Sequence, residues 1–305
     1  VLVHHDLLRC VQALHVMIRR VNCRHEQARH ARFHFAGHVH DRVLHLVDVV
    51  DPMPSRLLAA TDRETCLRNQ RLYRFQCRRR TTFVSGLGVA NGVGKGWNDG
   101  RTAILQIAIR QRVDDVGFLT ALIDELKTQY RIDRVYMTGL SNGGMMTLRY
   151  ACAMADQLAG FMTVAANLPD PIYNTCAPSQ PLPAVMIFGE ADPVMPFAGG
   201  IVGAGARRGD YGTVVSAEDT ISVWTAVNGC TGSGDRVALP DTVDDDAQVT
   251  LTTYADCAAP VQVYRIANGG HGWPGDTSLR LRLTNNGIVT QDINATELFI
   301  EAFGL

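Results

Sequence analysis

The chain has 305 residues, 46% apolar and 19% charged, enough for one sizeable buried core. No run of eighteen apolar residues marks a membrane-spanning helix, and no membrane partner is expected. The formal net charge of −1 conceals a division: residues 1–80 hold fifteen arginines, no lysine and seven acids, about +8, which leaves about −9 for the rest.

Residues 1–90 therefore read as an atypical basic, Arg- and His-rich segment, separate from residues 91–305. Its opening apolar residues are interrupted by His4, His5, Asp6 and Arg9, so no signal-peptide core is visible. Three readings compete for the segment. It could bind metal or nucleic acid, because His30, His34, His38 and His40 recur closely and Cys23 and His25 lie nearby, although no paired C-x-x-C accompanies them. It could be a helical cap, with Leu7, Leu8, Val11, Leu14 and Ile18 on one face. The favoured reading is that this stretch is not the natural start of the domain: arginine and histidine without lysine suit an altered reading frame of GC-rich coding sequence. Neither a metal nor a nucleic-acid partner is expected on that reading.

Further along, Val116, Leu119, Leu122, Ile123 and Leu126 are spaced by three and four, predicting a helix over residues 114–130 with Asp114 and Asp115 capping its N-terminus. Residues 134–138 read as a buried strand and residues 142–156 as a helix, which puts Ser141, in Gly139-Leu140-Ser141-Asn142-Gly143, on a strand-to-helix turn. Flanking glycines relieve crowding there, and the helix N-terminus offers backbone N–H groups, first that of Asn142, to a developing oxyanion. Residues 161–167 read as a strand flanked by Cys152 and Cys176, and residues 184–189 as another.

Asp192 follows that last strand, with Glu190 as the fallback acid; Asp192 read structurally would be an Asx-turn or helix cap. Residues 199–205 form a glycine-rich loop near the site, and no Lys-Ser or Lys-Thr follows to make it a phosphate cradle. Ser216 and Asp219 open a helix carrying Ile221, Val223 and Trp224. Cys230 and Cys257 bracket an acidic insertion, and with Cys152 and Cys176 they are candidates for two local disulfides, which leans toward an oxidising compartment; four buried thiols are the other reading. Cys10, Cys23, Cys66 and Cys77 have no assignment. Residues 261–266 form a strand that delivers His271, the one histidine beyond residue 45, in Gly269-Gly270-His271-Gly272-Trp273. Residues 294–303 form a closing helix.

Ser141, Asp192 and His271 occur in the order nucleophile, acid, base. From Gly94 onward the chain resembles the esterase family of polyhydroxybutyrate depolymerases, feruloyl esterases and acetyl xylan esterases. The likeness is carried by Gly96-Trp97-Asn98-Asp99-Gly100-Arg101, Val113-Asp114-Asp115-Val116-Gly117-Phe118-Leu119, residues 136–146 around Ser141, Gly189-Glu190-Ala191-Asp192-Pro193-Val194 and His271-Gly272-Trp273-Pro274-Gly275.

The resemblance implies an α/β-hydrolase fold with a mostly parallel sheet, flanking helices and an irregular N-terminal part. It implies a serine esterase acting through Ser141, Asp192 and His271 by an acyl-enzyme route with no cofactor. Substrates would be polyhydroxyalkanoates, feruloylated or acetylated polysaccharides or small esters, and the location extracellular or periplasmic. The family's first strands and His-Gly-rich oxyanion loop are not legible in residues 1–90, where Gly37-His38 lacks the following glycines; a sheet without them would carry an unpaired edge. Trp97, Asn142, Asn167 and Trp273 are candidates for the cleft wall, with core packing an equal reading for the tryptophans. The alternative class is an impaired hydrolase-fold binding protein whose basic N-terminal segment meets an anionic partner.

Overall fold

Short apolar segments rich in β-branched and aromatic residues, each followed by glycine or a turn, build the centre of the molecule as parallel strands. The computed structural model describes residues 14–21, 44–50, 79–86, 89–90, 95–103, 107–205, 211–276 and 286–305. The strands, in chain order, are β1 (Leu14–Val21), β2 (Leu44–Val50), β3 (Arg79–Gly86), β4 (Val89–Ala90), β5 (Lys95–Gly96), β6 (Ile132–Leu140), β7 (Gly160–Val164), β8 (Ala184–Gly189), β9 (Gly200–Ile201), β10 (Thr213–Val214), β11 (Asp235–Ala238), β12 (Gln248–Tyr254) and β13 (Val261–Ala267). The helices are α1 (Ile107–Arg110), α2 (Asp115–Gln129), α3 (Asn142–Ala153), α4 (Asp170–Tyr173), α5 (Ala217–Val227) and α6 (Ala295–Phe303), with a 3-10 turn over Ala155–Gln157.

Among the described residues the main sheet runs β11-β12-β13-β8-β7-β6-β1-β3-β2. Its core, β6, β7, β8 and β13, is parallel. Alternating residues along these strands feed two different apolar layers. Val135, Met137, Phe161, Met186 and Val263 pack beneath α2, α3 and α5, where Phe161 and Trp224 bring their rings to 4.5 Å. Tyr136, Met162, Val185, Ile187 and Ile266 face α6 through Phe299 and Phe303, with Tyr136 and Phe303 at 4.9 Å. Helices therefore cover both faces, as an α/β-hydrolase requires.

The caps follow the sequence. Asp114 accepts from Gly117 N at 2.9 Å to start α2, Ser216 accepts from Asp219 N at 3.0 Å to start α5, and Asn294 accepts from Thr296 N at 3.0 Å to start α6. Asp115 departs from its expected capping role: its carboxylate accepts from Asn98 N at 2.7 Å and so holds a distant loop. The strand expected over residues 161–167 stops at Val164 because Ala165 turns the chain at φ 46°. The helix expected to residue 156 stops at Ala153, and the 3-10 turn continues from there.

Two further expectations are corrected. The helical-cap reading fails for Leu14 and Ile18, which lie in β1, antiparallel to β6 and to β3; Leu7, Leu8 and Val11 lie outside the described residues. The edge of β6 is thereby paired, not open: ladder hydrogen bonding along an exposed strand outweighs a modest helical spacing. The acidic insertion after Cys230 carries β11 and β12, which extend the sheet beyond β13. Both anticipated disulfides are present, Cys152–Cys176 and Cys230–Cys257. The histidine cluster of residues 25–40, Cys23, Gly37, and the unassigned Cys10, Cys66 and Cys77 lie outside the described residues.

Candidate active site

Parallel strands put their carboxyl ends along one rim, and the turns leaving that rim carry Ser141 after β6, Asp192 after β8 and His271 after β13. Ser141 sits at φ 56°, ψ −118°, a conformation costing on the order of 1–3 kcal/mol that persists only where its surroundings enforce it. The enforcement is steric. A Cβ on Gly139 would run into the backbone of Gly143 and lie 2.8 Å from Gly144 N; one on Gly144 would lie 2.5 Å from Ala166 Cβ and 2.9 Å from Gly139 O. The turn is thus tightly packed, and Gly144 is constrained together with Gly139.

From this turn α3 begins, and Met145 N donates to Ser141 O at 2.8 Å. The amides before it, starting with Asn142, have no acceptor within the helix and lie at the positive end of its dipole. Asn142 is itself pinned by its carboxamide: Oδ1 accepts from Trp97 N at 2.7 Å, and Nδ2 donates to Trp97 O at 3.0 Å and to Asp99 Oδ2 at 2.5 Å.

Asp192 is a buried carboxylate with both oxygens engaged. Oδ1 accepts from Val194 N and from Met195 N, each at 2.7 Å, and Oδ2 faces His271 Nδ1 at 2.8 Å. An ionised carboxylate only accepts, so Nδ1 carries the proton of that bond and Nε2 keeps a lone pair. The imidazole is 2% exposed, seated by a loop in which His271 N donates to Asn286 O at 2.6 Å and Gly270 N to Ile288 O at 2.7 Å. A Cβ on Gly189 would sit 2.5 Å from Gly269 O, so the acid strand and the histidine loop touch through their backbones. Ser141 Oγ and His271 Nε2 are not hydrogen-bonded to one another in this state, and bonds of that kind commonly tighten when substrate arrives. Glu190, the fallback acid, is exposed and makes no bond to His271.

The proposed cleft residues separate. Trp97 has no exposed surface and packs in the core with Phe118, so its packing role prevails. Asn167 is 1% exposed and ties two segments together, its Nδ2 donating to Pro196 O at 3.0 Å and Val215 O at 2.9 Å. Trp273 is half-buried two residues after His271, with Nε1 donating to Thr296 Oγ1 at 3.1 Å. The glycine-rich segment does lie close: Gly203 N donates to Val194 O at 2.8 Å, and Val202 joins Met145, Ala166, Val194, Met195 and Val214 in a small apolar cluster.

Sequence reading missed the polar knot beneath the Ser141 turn. Asp99 and Arg101 form a buried ion pair at 2.7 Å; Arg101 NH1 also donates to Tyr211 O at 2.7 Å, and Arg149 NH1 donates to Asn98 O at 2.5 Å. The signal was the close acid–base spacing of Asp99 and Arg101, but its further partners are 43 to 110 residues away.

Residues 111–204 match the phospholipase/carboxylesterase family. The chain is 33% identical over 204 residues to NocK of Nocardia uniformis subsp. tsuyamanensis, a protein named as an esterase, covering 63% of this chain and 57% of that one. It is 28% identical over 190 residues to feruloyl esterase B of Piromyces equi, covering 60% of this chain and 32% of that one. A shorter stretch of 87 residues is 30% identical to the bifunctional acetylxylan esterase/xylanase XynS20E of Neocallimastix patriciarum, covering 28% of this chain and 12% of that one. The chain thus spans little more than half of the first relative and about a third of the second.

Proposed function

We propose that this chain, an α/β-hydrolase whose similarities lie among esterases, is a serine carboxylic-ester hydrolase in which Ser141 is the nucleophile, His271 the general base and Asp192 its partner. The observation that carries the reading is the buried Asp192–His271 bond of 2.8 Å, at the same sheet rim as a serine held at positive φ. His271 Nε2 takes the proton from Ser141 Oγ as the oxygen attacks the ester carbonyl. The resulting oxyanion is met by the Asn142 amide at the N-terminus of α3. The imidazolium, stabilised by Asp192, then protonates the departing alcohol. Water, activated by the same nitrogen, releases the acid and restores Ser141.

The substrate class that fits is an ester of an acetyl, feruloyl or hydroxyalkanoyl group, the first two in keeping with the names of the Neocallimastix and Piromyces relatives. Two disulfides fit an exported enzyme in an oxidising compartment. A panel of p-nitrophenyl acyl esters, run beside Ser141→Ala, tests the chemistry: the variant is expected to lose on the order of 10⁴-fold or more in turnover, and equal rates would end the proposal. Hydroxybutyrate oligomers, methyl ferulate and acetylated xylan then rank the acyl groups.

A further inference from the structure

The buried knot of Asp99, Arg101 and Asn142 lies directly behind the nucleophile turn, yet none of its side chains has a part in the relay of Ser141, His271 and Asp192. Asn142 occupies the first position of α3, so the peptide amide assigned to the oxyanion and the carboxamide bound to residues 97–99 belong to one residue. Fixing the carboxamide fixes the orientation of that peptide. Three bonds do so, two to the Trp97 backbone and one to Asp99 Oδ2.

Asp99 is in turn immobilised. Arg101 holds both of its oxygens through Nε at 3.0 Å and Oδ2 through NH2 at 2.7 Å, with side chains 1% and 0% exposed. A carboxylate buried this fully is costly unless neutralised, and here the compensating guanidinium is two residues away. The same arginine reaches Tyr211 O beside β10, and Asp115 anchors the Asn98 amide from the start of α2. Asn142 Nδ2 carries two N–H donors: one goes to Trp97 O and the other to Asp99 Oδ2, a charged and doubly braced acceptor where a neutral oxygen would also satisfy the bond.

We infer that Asp99, braced by Arg101, is a positioning residue for the oxyanion donor: it aims the Asn142 amide by holding the Asn142 carboxamide. This rests on the esterase reading above. The pair touches no reacting atom, and its effect falls on the transition state, because an oxyanion exists there and not in the bound ester.

The test uses the full chain with p-nitrophenyl acetate and a boronic acid that forms a tetrahedral adduct on the nucleophile. Asn142→Ala removes the carboxamide but keeps the peptide amide and the ion pair; the double variant Asp99→Asn/Arg101→Gln keeps the shape and neutrality of the pair without its charges. Both are expected to lower kcat about 10- to 100-fold, below the loss of a whole donor, with KM within about twofold, and to weaken the boronate by a similar factor. Variants that are folded by circular dichroism and keep the parent's kcat, or that raise KM alone, overturn the inference while leaving the esterase intact. Loss of folding in both assigns the knot to stability and overturns it as well. Hydrolysis by Ser141→Ala at the parent's rate removes the underlying esterase reading first.

Discussion

Replacing Asp192 by asparagine is the most informative change at the rim, because the surroundings dictate which way the new amide points. Oδ1 of Asp192 accepts from Val194 N and Met195 N at 2.7 Å, and only an oxygen can satisfy those donors. The asparagine oxygen must take that side, which turns its NH₂ toward His271 Nδ1, now at 2.8 Å from a carboxylate oxygen. Nδ1 then has to accept, the ring proton moves to Nε2, and the nitrogen proposed as the base can no longer take a proton. The shape and hydrogen-bond count of the site survive, so the melting temperature is expected to stay within a few degrees, while kcat falls on the order of 10⁴-fold, the loss found where a triad aspartate elsewhere is so replaced. Asp192→Ala is the contrast: it strands two buried amides at about 1–3 kcal/mol each and should lower stability together with activity. Imidazole nitrogen resonances report the tautomer and steady-state kinetics on p-nitrophenyl acetate report the rate. A folded Asp192→Asn protein with kcat within tenfold of the parent, or with Nδ1 still protonated, would refute the reasoning.

Other consequences follow from packing and titration. Gly144→Ala drives a methyl into Ala166 and the Gly139 carbonyl, and is expected to destabilise by at least about 1–3 kcal/mol in denaturant melts while depressing kcat through movement of Ser141. Removing Cys152 and Cys176 as a pair frees the loop that ties the end of α3 to the segment after α4, a separation of 24 residues worth about 3–4 kcal/mol by loop entropy; urea midpoints of the double serine variant measure it. Burial pushes the Tyr150 hydroxyl up to about 12, against the smaller opposing effect of its bond to Thr120. A raised native value leaves stability intact below the ordinary tyrosine range and removes it as pH climbs from about 10 toward 12, so Tyr150→Phe should flatten that part of the stability–pH curve.

What the chain discloses directly is what depends on local order. β6, β8 and β13 are short strands rich in apolar residues, each ended by glycine or a turn, and Ser141, Asp192 and His271 each sit within a few residues of such an end; strand, turn and candidate side chain are neighbours in sequence. The caps at Asp114, Ser216 and Asn294 are local for the same reason. The knot of Asp99, Arg101 and Asn142 is not: Asp99 and Arg101 are near neighbours, but the bonds of Asn142 to Trp97 and Asp99 cross 43 to 45 residues and nothing in either segment names the other. Trp97 carried no periodic signal to divide core from cleft, and only its complete burial does so. Gly144 lies outside the Gly139-x-Ser141-x-Gly143 pattern, and only the close approach of Ala166, just after β7, and of the Gly139 carbonyl shows how constrained it is. In β1, Leu14 and Ile18 share a helical spacing that is overridden by two neighbouring strands, β3 and β6, with backbone groups to pair.

Reaction with a fluorophosphonate followed by peptide mapping tests most directly whether Ser141, His271 and Asp192 act as one unit. A single adduct on Ser141, formed in step with loss of esterase activity and abolished in His271→Ala, is the predicted result. An adduct confined to another residue, or undiminished labelling of Ser141 without the imidazole, would contradict it.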